Sequence, residues 1–258
     1  MADLTPRLGA PATAVVITGG ASGIGLATAR SLAAVGRPVS LWDINADGVT
    51  VAATEITAQY GVSASGVSVD LRDPQAVVPA ALATRAALGP VGGIVHAAGT
   101  ALQSGIEGVT PDNFDSGMAL HVRALILIAQ AFMDDLKSNP GSAIVAVASI
   151  NAWFGNGTIP IYTAAKGAVI SLVRSMADEL SHFGIRINAV SPGMIDTPIL
   201  GEMRDSMQKL YGPRAFAGRF GKPEEVARTI RFLLSEEASY ITAAEILVDG
   251  GIRHSQRP

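Results

Sequence analysis

The chain of 258 residues contains no cysteine. This absence excludes disulfide bonds, a thiolate nucleophile and any metal site that needs sulfur ligands. We expect no zinc site either, because the histidines lack the spacing of metal ligands. They are His96, His121, His182 and His254. A metal-dependent mechanism is therefore disfavoured.

The chain also lacks an excess of basic residues and a long apolar run. With a net charge of −3 and a pI near 5.8 it offers no basic face for a polyanion, so nucleic acid is not an expected partner. No apolar run reaches the ~20 residues needed to span a bilayer. The first residues, MADLTPRLGAP, contain neither the basic n-region nor the apolar h-region of a signal peptide. We expect a cytoplasmic protein without membrane contact.

Apolar segments alternate with helical patterns throughout the sequence, which predicts an α/β fold with a parallel sheet buried on both faces. At 48% hydrophobic and 16% charged residues, a chain of this length buries one large core. We therefore expect one domain over residues 1–258. The predicted strands are ATAVVIT, PVSLWD, SASGVSVD, GGIVHAAG, SAIVAVAS, IRINAVS and EILVD.

A glycine-rich turn follows the first predicted strand, with Gly19, Gly23 and Gly25 at i, i+4 and i+6. Glycines let the backbone turn sharply and approach a pyrophosphate, whose charge is favoured by the amides that open the next helix near Ser22. We predict a phosphate-binding turn. Alternatively the turn is only a tight connection, since its spacing differs from the G-x-G-x-x-G fingerprint.

Asp43 ends the second predicted strand, twenty residues after Gly23. A carboxylate at this place accepts hydrogen bonds from the adenosine ribose of a dinucleotide. The alternative is that Asp43 caps the following helix, but Asn45 is better placed to do so.

Tyr162, Lys166 and Ser149 form a candidate proton-transfer set. If YTAAKGAVISLVRSMADEL is a helix, tyrosine and lysine lie one turn apart on one face, and Ser149 ends an apolar run thirteen residues earlier. A nearby ammonium lowers the pKa of a tyrosine from its usual ~10, which predicts Tyr162 as a general acid/base. Seen alone, such a pair is more often an ordinary contact on a helix surface.

Together these motifs resemble the short-chain dehydrogenase/reductase family from Thr18 to Gly251. The matching motifs are TGGASGIG, Asp43, HAAG, Ser149, the Tyr162 and Lys166 pair, RINAVSPGMIDTP and EILVDGG. The resemblance implies a Rossmann-like, doubly wound fold with a seven-stranded parallel sheet and helices on both faces. It also implies that Ser149 holds the substrate oxygen, Tyr162 exchanges the proton, and Lys166 binds the nicotinamide ribose and lowers the tyrosine pKa.

The resemblance assigns the other cofactor contacts as well. The expected pyrophosphate turn comprises Gly19, Ser22, Gly23, Ile24 and Gly25. The expected adenine contact is Asp70 with Leu71, and the wall beside the ribose is Ala98 with Gly99. The expected nicotinamide clamp comprises Pro192, Gly193, Ile195 and Thr197.

The chain departs from the family pattern at three places. His121 stands where the family usually has an asparagine associated with a proton relay. The imidazole either passes protons in the relay, with a titration near ~6.5, or only the backbone carbonyl at this position serves the relay, or the histidine only caps or kinks its helix. His96 and Ala97 replace asparagines of the family's NNAG motif, and we interpret this change as structural. Ala243 replaces a glycine that is common before the last strand.

Asp43 also predicts which nicotinamide cofactor binds. The extra ribose phosphate of NADP would face this carboxylate, and a like-charge contact at ~4 Å costs about 1 kcal/mol in water and up to about 4 kcal/mol near a protein surface. Ile44 and Asn45 follow, so no adjacent basic residue receives the phosphate. We expect NAD, and hence an enzyme that mainly oxidises alcohols.

The sequence says least about the identity of the substrate, which is expected to contact a substrate loop at about residues 194–220. Its apolar side chains either line a pocket or only pack, and its basic side chains either bind an anion or face solvent. The apolar residues are Ile199, Leu200, Met203 and Met207, together with Ile150, Trp153 and Phe154; the basic ones are Arg204, Lys209, Arg214 and Arg219.

We predict an NAD-dependent oxidoreductase that interconverts a hydrophobic secondary alcohol and its ketone. The alternatives are an NADPH-linked 3-oxoacyl reductase and a non-catalytic nucleotide-sensing protein of the same fold. Likeness to the family further implies a homotetramer, for which the helices around HVRALILIAQAFM and GAVISLVRSM offer apolar faces.

Overall fold

The computed structural model describes residues 4–257, which contain one parallel sheet of seven strands. Their order across the sheet is β3-β2-β1-β4-β5-β6-β7. The strands are β1 Ala14–Thr18, β2 Val39–Asp43, β3 Ala64–Ser68, β4 Val91–His96, β5 Ala143–Val147, β6 Arg186–Pro192 and β7 Glu245–Val248. Every strand predicted from an apolar segment is present, so the predicted fold class is confirmed. That residues 1–258 form one domain stays a prediction.

Helices follow the strands on both faces of the sheet. They are α1 Gly23–Ala33, α2 Ala46–Tyr60, α3 Val77–Leu88, α4 Pro111–Met118, α5 Ala124–Ala131, α6 Met133–Ser138, α7 Pro160–Ser181, α8 Arg204–Tyr211 and α9 Pro223–Leu234. A π-helical segment, Ala119–Arg123, separates α4 from α5. None of these helices, in the part of the chain that the structure describes, has the length and hydrophobicity of a membrane span.

The core lies in two layers, one on each face of the sheet. Because side chains alternate along a strand, Val15 and Ile17 of β1 pack toward α1, α2 and α9. Ala14 and Val16 of the same strand pack toward α3, α5 and α7. The inner strands β1, β4, β5 and β6 are buried along their whole length, which explains their continuous apolar sequences.

The strand order reverses between β1 and β4, which lie side by side although they are not consecutive in the chain. Connections leave these two strands in opposite directions, and ligands of doubly wound folds bind in the crevice that this reversal opens at the carboxyl ends of the strands. The glycine turn after β1 and the HAAG segment after β4 both lie at that edge. The crevice is therefore the place at which a cofactor is expected.

Candidate active site

The glycine turn forms a close-packed cradle at the end of β1. A Cβ atom on Gly25 would lie 2.1 Å from the carbonyl oxygen of Gly19, and one on Gly19 would lie 3.0 Å from the backbone of Ala98. Gly19 and Gly23 also have positive φ angles of 67° and 52°, which favour glycine. A side chain at Gly19 or Gly25 would clash with the neighbouring backbone, so the close packing of this turn requires glycine at both positions.

The first turn of α1 presents backbone amides toward the crevice. Ser22 is the N-cap residue, but its side chain makes no capping hydrogen bond, and α1 has no acidic residue in its first turn. The first amides of a helix carry a partial positive charge and favour an anion. The cradle and these amides therefore fit a dinucleotide pyrophosphate, with Ile24 in the same turn.

Asp43 lies beside this cradle, at the carboxyl end of β2. Its carboxylate accepts hydrogen bonds from the amides of Ala21 at 3.2 Å and Asn45 at 3.0 Å. Asn45 in turn caps α2 by accepting from the amide of Gly48 at 2.9 Å. Asn45 is the helix cap as predicted, and Asp43 is held at the position expected for a ribose contact.

Asp70 and Leu71 follow β3 and are joined to β2 by a hydrogen bond from the Val69 amide to the Asp43 carbonyl, 2.9 Å long. Leu71 is buried, whereas Asp70 pairs with Arg72 at 2.7 Å. Hydrogen bonding from Arg72 lowers the pKa of Asp70. Arg72, which the sequence motifs do not indicate, competes with any cofactor group for this carboxylate.

Thr18 ties β1 to the segment after β4 and was also not identified from the sequence. Its hydroxyl oxygen accepts from the amides of Ala97 at 3.1 Å and Ala98 at 3.0 Å. Its own proton is then free for Nδ1 of His96, 3.0 Å away, which leaves Nε2 of His96 to donate to the Leu120 carbonyl at 3.1 Å. Burial lowers the pKa of His96 to about 4. His96 is thus a neutral structural residue, as interpreted from the sequence.

The predicted proton-transfer residues come together at the carboxyl end of β5. Ser149 follows β5, and its hydroxyl oxygen accepts a hydrogen bond from the Asn151 amide at 3.1 Å. Tyr162 and Lys166 lie one turn apart on α7. The Lys166 ammonium is 5.5 Å from the centre of the Tyr162 ring and donates to the Val147 carbonyl at 2.6 Å. The i, i+4 spacing therefore produces the expected cluster, and not an exposed surface pair.

The pKa of Tyr162 shifts in the direction opposite to the sequence-based expectation. Burial raises it, and hydrogen bonding with Ser149 opposes that shift only in part. Burial also lowers the pKa of Lys166 to about 7, since an ammonium is poorly solvated here. The predicted lowering of the tyrosine pKa by Lys166 was wrong for this structure because desolvation is the larger effect.

His121 lies in the π-helical segment, with its ring buried against the active site. The ring stands edge-on to Tyr162 with centroids 5.5 Å apart, and a Cβ atom on Gly99 would lie 2.6 Å from its Cε1. Nε2 lies 3.0 Å from the Thr100 carbonyl, whereas Nδ1 is buried without a partner among residues 4–257. Burial, with Lys166 and His96 nearby, lowers the pKa of His121 to about 3. The titration near 6.5, expected if the imidazole passes protons in the relay, was therefore wrong.

The expected nicotinamide clamp lies across the crevice from the glycine turn. The Gly193 amide donates to the Val248 carbonyl at 3.0 Å just beyond Pro192, which ends β6. Ile195 is buried and forms a β-bridge with Gly221. Cγ2 of Thr197 lies 3.4 Å from the position of a Cβ atom on Gly23, so the structure brings this segment against the phosphate cradle.

The substrate loop contains α8 and places apolar side chains in solvent. Ile199 is 61% exposed and Met203 47% exposed, and Trp153 in the loop after β5 is 49% exposed. Of the basic residues, Arg204 pairs with Asp196, and Arg219 pairs with Glu225. These two arginines are therefore engaged in ion pairs. Within residues 4–257 no group of three or more His, Asp or Glu side chains has the arrangement of a metal site.

Comparison with known proteins places this arrangement in a family. The family model described as Enoyl-(Acyl carrier protein) reductase matches residues 19–253. Acetoacetyl-CoA reductase of Synechocystis is 32% identical over 96% of this chain and 99% of its own length, and levodione reductase of Leifsonia aquatica is 34% identical over 92% of both. A structure of L-sorbose reductase from Gluconobacter frateurii, complexed with NADPH and L-sorbose, superimposes with a TM-score of 0.90 at 30% identity over 95% of this chain and 98% of its own.

The chain belongs to the short-chain dehydrogenase/reductase family, as its motifs predicted. Its relatives are oxidoreductases, and solved neighbours bind a nicotinamide cofactor. The close-packed glycine cradle and the open amides of α1 fit such a cofactor.

Proposed function

We propose that the protein is an NAD-dependent oxidoreductase that interconverts a secondary alcohol with an apolar body and its ketone. The observation that carries this proposal is the cluster of Ser149, Tyr162 and Lys166 at the sheet edge that also holds the glycine cradle. Relatives named as reductases of levodione and L-sorbose agree with a carbonyl substrate. The exposed apolar residues of the two adjoining loops favour an apolar substrate body.

In this mechanism NAD supplies the hydride acceptor for oxidation, and its reduced form supplies the hydride for reduction. Ser149 holds the substrate oxygen, and the Tyr162 hydroxyl exchanges a proton with that oxygen. Because burial raises the pKa of Tyr162, the phenol keeps its proton at neutral pH and is ready to donate it to a ketone. Alcohol oxidation needs the deprotonated phenol, so its rate should rise as the pH rises.

A search for turnover tests the reaction type. Secondary alcohols are screened with NAD and ketones with NADH, and turnover is followed by the absorbance of NADH. The rate of Tyr162→Phe is then compared with that of wild type. Removal of a general acid/base typically costs ~100- to 10,000-fold in rate, whereas NAD affinity should be retained because the ring stays. Tyr240→Phe makes the same chemical change at a fully exposed tyrosine and should leave the rate unchanged. A Tyr162→Phe rate within threefold of wild type contradicts the assignment.

The preference for NAD rests on Asp43. Two backbone amides fix its carboxylate beside the cradle, and Arg72 beyond the next strand is already paired with Asp70. The solved L-sorbose reductase carries NADPH, so membership of the family does not by itself select NAD, and the proposal depends on the charge of Asp43. Asp43→Ala should therefore lower the ratio of kcat/KM with NAD to kcat/KM with NADP.

Asp47→Ala is the matched control for that experiment. It removes the same charge from an exposed position four residues away, in the first turn of α2, and should leave the ratio unchanged. An unchanged ratio in Asp43→Ala, or a wild-type preference for NADP, would show that Asp43 does not select the cofactor.

The second candidate function is an NADPH-linked 3-oxoacyl reductase, which the similarity to acetoacetyl-CoA reductase favours. Faster reduction of acetoacetyl-CoA with NADPH than of any ketone with NADH would establish it. Nucleotide binding without turnover of any substrate would instead indicate the non-catalytic sensor. A cytoplasmic location and a homotetramer remain part of the proposal.

A further inference from the structure

Arg253 lies in the segment after β7, residues 249–257, which we call the C-terminal segment. Its guanidinium carbon is 4.1 Å from the centre of the Trp153 ring. In the substrate loop, Arg204 and Arg219 form ion pairs with acidic residues. Among residues 4–257 no carboxylate forms an ion pair with Arg253. Its charge is thus held over an aromatic face without a counter-ion.

The carboxylates near Arg253 are committed to other donors. The Asp249 oxygens accept from the amides of Gly251 at 2.8 Å and of Arg253 itself at 3.0 Å. The Glu245 carboxylate accepts from Nε1 of Trp153 at 2.8 Å and from the Ser191 hydroxyl at 2.6 Å. These bonds fix the indole that supports Arg253 and leave the guanidinium donors available to a ligand.

The C-terminal segment also contacts both loops that border the reaction site. Trp153 follows Ser149 through one short 3₁₀ turn, Ile150–Ala152. The C-terminal segment contacts the end of the substrate loop, where the Ala217 amide donates to the Gly250 carbonyl at 3.0 Å. Both contacts arise because β5, β6 and β7 are adjacent and parallel, so their following segments leave the same edge of the sheet.

We propose that Arg253, stacked on Trp153, binds the carboxylate of the substrate, so that the protein acts on oxo acids and the corresponding hydroxy acids. This inference rests on the proposed function, since it places the carbonyl of the same molecule at Tyr162. A guanidinium matches a carboxylate with two parallel hydrogen bonds, and stacking on an aromatic ring orients it before binding. Arg253 has no ion-pair partner within residues 4–257, and a single guanidinium suits a singly charged group, while the exposed apolar residues contact the carbon chain.

The test uses pairs of substrates that differ in charge but not in shape. Reduction of acetoacetate and levulinate is compared with reduction of acetoacetamide and levulinamide, using NADH and measuring kcat and KM for each. The wild type should prefer the acids, and the better chain length reports the distance from Tyr162 to Arg253. In Arg253→Met this preference should fall by ~10- to 100-fold, through KM, because a charge-assisted pair is lost. Arg253→Lys should recover part of it.

Arg257→Met is the matched control, because it removes one positive charge from the same segment. Arg257 donates to the Ala215 carbonyl at 3.0 Å and lies 5.3 Å from the Phe216 ring, so it holds the segment to the substrate loop. A merely structural role of Arg253 would make Arg253→Met resemble this control, with acids and amides affected equally. That result would overturn the inference while leaving the proposed function intact.

Fluorescence provides a readout that does not need turnover. The chain has two tryptophans, of which Trp42 is fully buried, so added acetoacetate should change mainly the emission of Trp153. Arg253→Met should abolish that change, and acetoacetamide should not produce it. If no ketone is reduced at all, the proposed function fails. The inference about Arg253 fails separately if acetoacetate does not change the emission, or if it changes the emission equally in Arg253→Met.

Discussion

The two sides of the crevice are built in different ways. On the cofactor side, backbone atoms and buried polar groups define the shape: Gly25 packs on Gly19, and Thr18 satisfies two amides and His96. On the substrate side, half-exposed side chains such as Trp153 and Met203 border the site. A cofactor that binds to backbone amides needs a fixed backbone, whereas a substrate is distinguished by the side chains that contact it.

Acidification should expose the largest difference between the two sides, because the cofactor side depends on buried neutral histidines. The pKa of His96 is about 4 and that of His121 about 3 in the folded protein, against an ordinary value of 6.5. The unfolded chain therefore binds more protons between these values and 6.5, and stability falls as the pH falls through that window. Each histidine should cost about 3 kcal/mol of unfolding free energy between pH 6.5 and pH 4.

Urea denaturation at several pH values measures this loss. His121→Asn should lose less stability on acidification than wild type, whereas His182→Gln, which removes an exposed histidine, should follow wild type. The pH–rate profiles of wild type and His121→Asn should likewise agree in shape between pH 5.5 and pH 8, since the imidazole is neutral throughout that range. A limb near pH 6.5 that disappears in His121→Asn would restore the relay hypothesis.

A matched pair of glycine substitutions should separate the two sides next. A Cβ atom on Gly25 overlaps the Gly19 carbonyl, whereas one on the exposed Gly155, beyond Trp153, meets no atom within 4 Å. Gly25→Ala should therefore cost about 1–3 kcal/mol of stability and weaken NAD binding more than tenfold, and Gly155→Ala should change neither. Thermal unfolding and NAD titration measure both effects, and equal results for the two variants would contradict the distinction.

The same distinction explains what the sequence could predict. Strands, the glycine turn, the Asn45 cap and the meeting of Tyr162 with Lys166 depend on local spacing, which the sequence displays directly. The pKa of Tyr162 depends on how much protein surrounds it, and residue spacing carries no information on that burial. Contacts across the fold, such as Arg253 on Trp153, join residues a hundred positions apart and required the structure.

The smallest expected effect concerns Ala243, where the chain turns into β7. Ala243 is the only non-glycine residue with positive φ, 57°, in the described range 4–257. A left-handed conformation costs about 1–2 kcal/mol for an L-residue, and glycine removes that cost but adds freedom to the unfolded chain. Ala243→Gly should therefore stabilise the protein by about 0.5–1 kcal/mol.

Ala244→Gly is the matched control for that substitution, because Ala244 does not have positive φ and glycine there only adds unfolded-state entropy. Denaturant midpoints should move in opposite directions for the two variants. A destabilised Ala243→Gly would mean that the hydrogen bond from the Ala243 amide to the Ile187 carbonyl, 2.8 Å long, depends on the restricted backbone of alanine.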